Sequence, residues 1–387
     1  MIYKRLIQLN NILSQKSHFL FGPRQVGKST AIEQQLPDAY VIDLLDSDRF
    51  TTFLRRPKAV GEELEHSQAK VVVIDEILKL PALLDEVQRL LKSGRWTFLL
   101  TGSSARKLKR KGTNLLGGRV WTKHMFPLVS AEIDDFDLMR YMRNGGLPSI
   151  YLSNQPEKEL KAYCQTYLKY EIQDEALVRN LRAFSTFLDV MGKTNGCELN
   201  FSSIAQDCGV SDQTIRSYIE ILEDTLVGYR LPAFTRSKKR AAQKRSKFYF
   251  FDIGVAKYLA RHGDVDKDHP AFGTYFEQFI INEVRAYLSY SDKELECAYW
   301  RSLSGFEVDL VIGTSIAVEI KATDQVKDKN LKGLLALAEE QIFEHHIVIS
   351  QDTKKRSIDG IEVWPWELFL ESLWRDDWQE RAAVPHT

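Results

Sequence analysis

FLFGPRQVGKST, residues 19–30, decides how the N-terminal third of the chain is read. Gly22 to Ser29 fits G-x-x-x-x-G-K-[ST], which average composition produces by chance in roughly 1% of chains of this length. The setting fits as well. The apolar run HFLF precedes the motif, and the helical pattern KSTAIEQQL follows it. A glycine-rich turn between strand and helix presents backbone N–H groups to phosphate at the positive end of the helix dipole. The nucleotide-binding residues expected here are Gly22, Pro23, Arg24, Gln25, Val26, Gly27, Lys28, Ser29 and Thr30. Lys28 would reach the β- and γ-phosphates of ATP, and the Ser29 hydroxyl would ligate Mg2+. The bland reading is a structural glycine turn, and the context weighs against it.

Outward from this loop, compact apolar runs alternate with helical patterns. YVIDLL, VVVID and WTFLLTG are rich in β-branched and aromatic residues, whereas STAIEQQL and PALLDEVQRLLKSG space their apolar residues by three and four. That alternation predicts an α/β domain with a parallel sheet over residues 1–130. VVVIDE, residues 71–76, is a buried strand ending in two acids. Asp75 would hold the magnesium, and Glu76 would orient the attacking water. At the end of FLLTGSS, Ser103 is the expected sensor between them. Arg119, after two glycines, is a candidate finger reaching a neighbour's site, and equally a plain surface arginine.

The 387 residues suit two or three domains, and 53 basic residues balance 53 acidic ones. Nucleic-acid affinity must therefore come from local patches rather than net charge. No apolar run reaches the ~20 residues that span a bilayer, so no membrane partner is expected. The first 19 residues read as an amphipathic helix rather than a signal peptide. Four scattered cysteines without a C-x-x-C pair favour a reduced, cytoplasmic setting.

Residues 131–195 read as a helical linker that includes one helical pattern over 157–177. Residues 196–262 read as a winged helix-turn-helix. FSSIAQDCG ends its helix at Gly209, and Ser211 can cap the second helix, DQTIRSYIEILEDT. Gln213, Thr214 and Arg216 would lie near the start of that helix, where side chains can read base edges. RSKKRAAQKRSK, residues 236–247, has seven basic residues in twelve, and its Lys238, Lys239, Arg240, Lys244 and Arg245 are candidate phosphate contacts. DNA is the expected partner ahead of RNA. A solvated charged face or a protein-contact module is the competing reading.

Residues 263–387 return to alternating α and β. EVDLVIGTSIAVEIK places Asp309, Glu319 and Lys321 on two strands joined by a short turn. Alternation puts Glu319 and Lys321 on one face, and the hairpin brings Asp309 near Glu319. Two carboxylates can hold Mg2+, Lys321 could position a water, and Glu277, on a preceding helix, could add a third acid. The competing reading is a salt-bridged hairpin.

With these pieces in order, nearly the whole chain resembles a family of prokaryotic AAA-type ATPases with a C-terminal domain of unknown function. FLFGPRQVGKST, VVVIDEILKLPALLDEV, GGLPSIYL, GVSDQTIRSYIEILEDTLVGY, KFYFFDIGVAKYL and EVDLVIG…AVEIKA carry the resemblance. It implies a P-loop ATPase core, a winged-helix middle and a C-terminal α/β fold similar to PD-(D/E)xK nucleases. It implies ATP and Mg2+ as ligands, with Lys28 and Glu76 catalytic at one site and Asp309, Glu319 and Lys321 at the other. No Pro-Asp pair precedes the E-x-K, so the name-giving motif is partial. Two functions fit: an ATP-driven nucleic-acid-binding protein with a nuclease-type domain, and a nucleotide-dependent assembly switch with an inactive nuclease-like scaffold. Self-association is left open.

Overall fold

Every residue of strand β1 (Ser17–Phe21) is buried, as expected of a parallel strand covered on both faces. A computed structural model describes residues 3–104, 116–168 and 180–378. β1 lies fourth in an all-parallel sheet of order β2-β3-β4-β1-β5, with β2 (Tyr40–Asp43), β3 (Val71–Asp75), β4 (Thr97–Gly102) and β5 (Val120–His124). β4 thus stands between the strand that feeds the glycine-rich loop and the strand that ends in Asp75. The helices Ala59–Glu65 and Leu83–Leu91 close one side of the sheet, burying Val60, Leu64, Leu83, Val87 and Leu90 with Phe98 and Leu100. Each such side chain contributes about 1.5–3 kcal/mol.

The N-terminal helix is shorter than its pattern predicts, covering only Leu9–Gln15. Arg5 is the reason. Its guanidinium is buried and donates to the carbonyls of Val26 and Phe126, the latter at 2.7 Å. Holding those acceptors fixes residues before Leu9 in an irregular path.

Two compact units emerge: Met1–Leu128 with Ile221–Val227, and Val129–Glu220 with Gly228–Thr387. In the second, the predicted 157–177 helix is helical over Pro156–Ala162 and continues as a π-helix over Tyr163–Leu168. The remainder of that prediction lies outside the described residues. The helices Phe201–Cys208 and Asp212–Asp224 fall where the sequence placed them. A two-stranded antiparallel sheet, β6 (Gly228–Leu231) and β7 (Lys247–Phe250), brackets the basic segment.

The rest of this unit is built on a six-stranded mixed sheet. Its order is β12-β13-β11-β10-β9-β8, with β8 (Cys297–Arg301), β9 (Glu307–Ile312), β10 (Ile316–Lys321), β11 (His345–Ser350), β12 (Arg356–Ile358) and β13 (Ile361–Pro365). β8, β9 and β10 form an antiparallel meander, and β10, β11 and β13 run parallel. The long helix Phe272–Tyr290 and the helix Lys332–Ala338 pack on β10.

Two buried carboxylates tie this unit together. Asp252 caps the helix Ile253–Ala260 through Val255 N–H at 3.0 Å and accepts from Gly146 N–H at 2.7 Å. Gly145, at φ +78°, passes so close that an added Cβ would lie 2.3 Å from Asp252 Oδ1. Glu283 accepts from Ser130 N–H at 2.7 Å, Ser130 Oγ at 2.9 Å and Trp374 Nε1 at 2.7 Å.

Burial without a cation pushes Glu283 up to about 7 against an ordinary 4.5. Between these values the unfolded chain has released the proton and the folded chain has kept it. This group therefore withdraws about 3 kcal/mol of stability as pH rises from 4.5 to 7. Glu283→Gln keeps the shape and cannot ionise. Denaturant melts from pH 5 to pH 8 are expected to lose stability more steeply in the native chain than in the variant; parallel slopes would refute the assignment.

Candidate functional site

Lys28 opens the helix Lys28–Gln35 directly after Gly27, whose φ of +93° suits a residue without a side chain. Its side chain folds back, donating to Gly22 O at 2.6 Å and Pro23 O at 3.1 Å. Burial lowers its pKa to about 8, although Glu76 and Asp75 pull the other way. Those carbonyls hold the ammonium where nucleotide phosphates would take it over.

Ser29 Oγ donates to Asp75 Oδ2 at 3.2 Å, and the Thr101 hydroxyl donates to Asp75 Oδ1. Glu76 N–H in turn donates to Thr101 Oγ1 at 3.1 Å. The Ile74↔Leu100 pairing puts Thr101 next to Asp75. The bridging role expected of Ser103 is therefore taken two residues earlier; Ser103 is buried just beyond the strand end. Glu76 is largely buried at φ +54°, a left-handed backbone that is uncommon outside glycine and recurs at functional positions. The Ser29 hydroxyl and the Asp75 carboxylate are hard oxygen donors that fit magnesium.

Arg5, unremarked in the sequence, pins the loop from beneath through Val26 O. Arg119 is exposed in the turn before β5, with its N–H donating to Leu116 O at 2.9 Å.

The second site lies where β9 and β10 part. Their pairing runs from Ile312↔Ile316 to Leu310↔Val318 and stops before Asp309 and Glu319. Asp309 Oδ2 takes the N–H of Ile320 at 2.8 Å instead of a ladder bond. Both carboxylates are buried, and Lys321 Nζ spans them at 2.6 Å from Glu319 Oε1 and 3.4 Å from Asp309 Oδ2. Burial, then the charge of Asp309, pushes Glu319 well above the carboxylate range. Burial opposes charge on Lys321, but Asp309 and Glu319 outweigh it and keep the ammonium protonated.

Glu277, the acid that could join this pair, is engaged by protein donors. Its Oε1 accepts from Lys247 Nζ at 3.0 Å and from the Tyr249 hydroxyl. Among the described residues, no three acidic, histidine or cysteine side chains converge at metal-binding spacing. Asp309 and Glu319 remain a pair of hard oxygen donors, and among the described residues Glu319 Oε2 is buried without a hydrogen-bond partner.

In the helix pair, Gly209 ends the first helix at φ +65°, and Ser211 Oγ accepts from Thr214 N–H at 3.2 Å. Thr214 Oγ1 also lies 2.9 Å from Ser211 Oγ, and the Arg216 guanidinium stacks 4.0 Å from the Phe201 ring centroid. Of the three expected reading residues, Gln213 and Arg216 are exposed, Thr214 serves the cap, and Arg216 is committed to a ring.

The basic segment is held by its backbone. Glu340 accepts from Lys238, Lys239 and Arg240 N–H at 2.6, 2.6 and 2.9 Å. Burial opposes its charge, but these three donors prevail and hold Glu340 below the usual range. Arg240 turns inward to Ala336 O and Glu339, so its expected phosphate contact gives way to protein partners. Lys238, Lys239, Lys244 and Arg245 remain exposed.

Residues 14–133 match the family described as AAA domain, a nucleotide-binding type. Residues 135–266 and 272–369 match two families described as Domain of unknown function, DUF8612 and DUF4143. Among similar proteins, an uncharacterized protein of Mycobacterium tuberculosis is 25% identical over 323 residues, covering 79% of this chain and 70% of the relative. One from Haemophilus influenzae is 22% identical, covering 79% and 78%. One from Methanocaldococcus jannaschii is 21% identical, covering 92% and 89%. Among the described residues, no helix is long and apolar enough to cross a membrane.

Proposed function

We propose, from an AAA domain joined to two domains of unknown function, that the chain hydrolyses ATP and couples this to nucleic-acid binding beside a nuclease-like site. The observation that carries the ATPase reading is the linkage of Ser29, Asp75, Thr101 and Glu76 across the ends of neighbouring elements. ATP lies along Gly22–Thr30, and Lys28 leaves the loop carbonyls for the phosphates. Ser29 and Asp75 would hold magnesium, which neutralises phosphate charge when bound. Glu76 receives the proton of the attacking water, held in place by the Thr101 hydroxyl on its N–H.

The order helix, three-strand antiparallel meander, helix, parallel strand supports the nuclease-like reading, as does the position of the acids where β9 and β10 part. Asp309 and Glu319 would hold the cation, and Lys321 positions the phosphodiester or the water. The exposed Lys238, Lys239, Lys244 and Arg245 support backbone contact with DNA ahead of RNA. Such binding falls steeply between low and moderate salt.

The test is magnesium-dependent ATP hydrolysis by the full chain with duplex DNA, single strands or RNA, followed by gels for strand cleavage. Asp309→Ala and Glu319→Ala are each expected to reduce cleavage at least about 100-fold. Cleavage that survives both substitutions would refute the nuclease assignment. The alternative, a nucleotide-dependent switch on an inactive scaffold, is favoured by the lysines already paired with the acids. Its signature is ATP-dependent assembly with no cleavage in magnesium or manganese.

A further inference from the structure

Four carboxylates and two ammonium groups share the parting of β9 and β10, and they form two sets. Lys321 serves Glu319 and Asp309. Lys247, the first residue of β7, serves Glu307 Oε1 at 2.7 Å and Glu277 Oε1 at 3.0 Å. Tyr249, two residues on and so on the same face of the strand, donates to that same Glu277 oxygen. The Lys247 side chain is only 5% exposed, and Nζ sits 5.2 Å from the Tyr299 ring centroid. This set is saturated by protein donors. In the other set, Glu319 Oε2 is buried and has no hydrogen-bond partner among the described residues.

Arg301 joins the cluster at its edge, 3.6 Å from Glu307 Oε2 and 3.1 Å from Glu198 Oε1; fully ionised, the five acids then outnumber the three cations by two, the charge of one divalent ion. Buried like charges do not stay ionised uncompensated. One divalent ion restores neutrality. A second would create positive excess beside an ammonium held by two carboxylates.

We infer that Lys247 is a protein-borne cation filling the second cation position, so that Asp309 and Glu319 take one divalent ion while Glu277 and Glu307 take none. This deepens the nuclease-like reading and rests on it. Lys247 is a positioning residue: it fixes Glu277 and Glu307 and sets the metal stoichiometry of its neighbours.

The experiment counts manganese bound to the nucleotide-free full chain by electron paramagnetic resonance. The native chain is expected to bind one ion, lost in Asp309→Asn and kept in Glu277→Gln. Lys247→Met, which keeps the apolar stem, is expected to gain a second ion, bound at least about tenfold more tightly than any second ion in the native chain. Adding Glu277→Gln removes that gain, and Lys247→Arg, which keeps the charge, stays at one. Where the native chain binds one ion, a single ion in Lys247→Met, or loss of the native ion in Glu277→Gln, overturns the role of Lys247. No ion in the native chain with one in Lys247→Met refutes the nuclease-like reading and keeps Lys247 as the resident cation. No ion in either overturns both. If Lys247→Met fails to fold, Glu277→Gln decides alone.

Discussion

Lys28→Ala is expected to slow ATP hydrolysis by about 100- to 1,000-fold, the cost of removing one preorganised charge from a phosphoryl-transfer site. The variant should fold normally, because among the described residues Lys28 donates only to two carbonyls of its own loop. Turnover within about threefold of native would place the chemistry elsewhere. The native enzyme adds a pH signature. With Lys28 lowered to about 8 by burial, the nucleotide-free ammonium is half deprotonated near that pH. Phosphate restores it, so nucleotide binding takes up a proton near pH 8 and weakens as pH rises further. Calorimetry in buffers of different ionisation enthalpy reads that uptake directly, and Lys28→Ala abolishes it.

Asp252→Ala carries the largest expected effect on stability, about 4 kcal/mol in the second unit. The carboxylate is 1% exposed and accepts from the backbone of Gly146, Leu147, Gly254 and Val255. Alanine leaves these donors buried without an acceptor and opens a cavity besides. Asp252→Asn keeps one carbonyl oxygen and should recover about half the loss. Urea titration followed by tryptophan fluorescence measures both. A midpoint unchanged in the alanine variant would mean that the GGLP turn is held by something else.

This bond also shows what the sequence could and could not convey. GGLPSIYL and KFYFFDIG stood out separately, but a separation of 106 residues hides that one caps the other. The phosphate loop, the Asp75 strand and the Asp309–Glu319 hairpin were legible because each is local: a motif, a run ending in acids, a turn of fixed length. Thr101 was missed in favour of Ser103 because the choice depends on the register of β4 against β3, which composition does not encode. Arg5 and Lys247 were missed for a related reason. Their partners lie at least 21 and 30 residues away along the chain. The seven-cation segment read as a uniform charged arm, yet Arg240 and Lys247 point inward to acids that only the folded sheet brings near.

The backbone clamp on that segment has a consequence for β8. As the chain runs from Pro232 to Gln243, it exchanges hydrogen bonds with Tyr299, Arg301 and Leu303, as in Phe234 N–H to Tyr299 O at 2.7 Å and Gln243 N–H to Arg301 O at 2.8 Å. β8 is the outer strand of the six-stranded sheet. Uncovered, its apolar and aromatic residues would offer a ready template to another chain. The basic segment is therefore a cover for the outer strand, and Glu340 holds that cover in place; any nucleic acid that engages the lysines would have to do so without peeling it away.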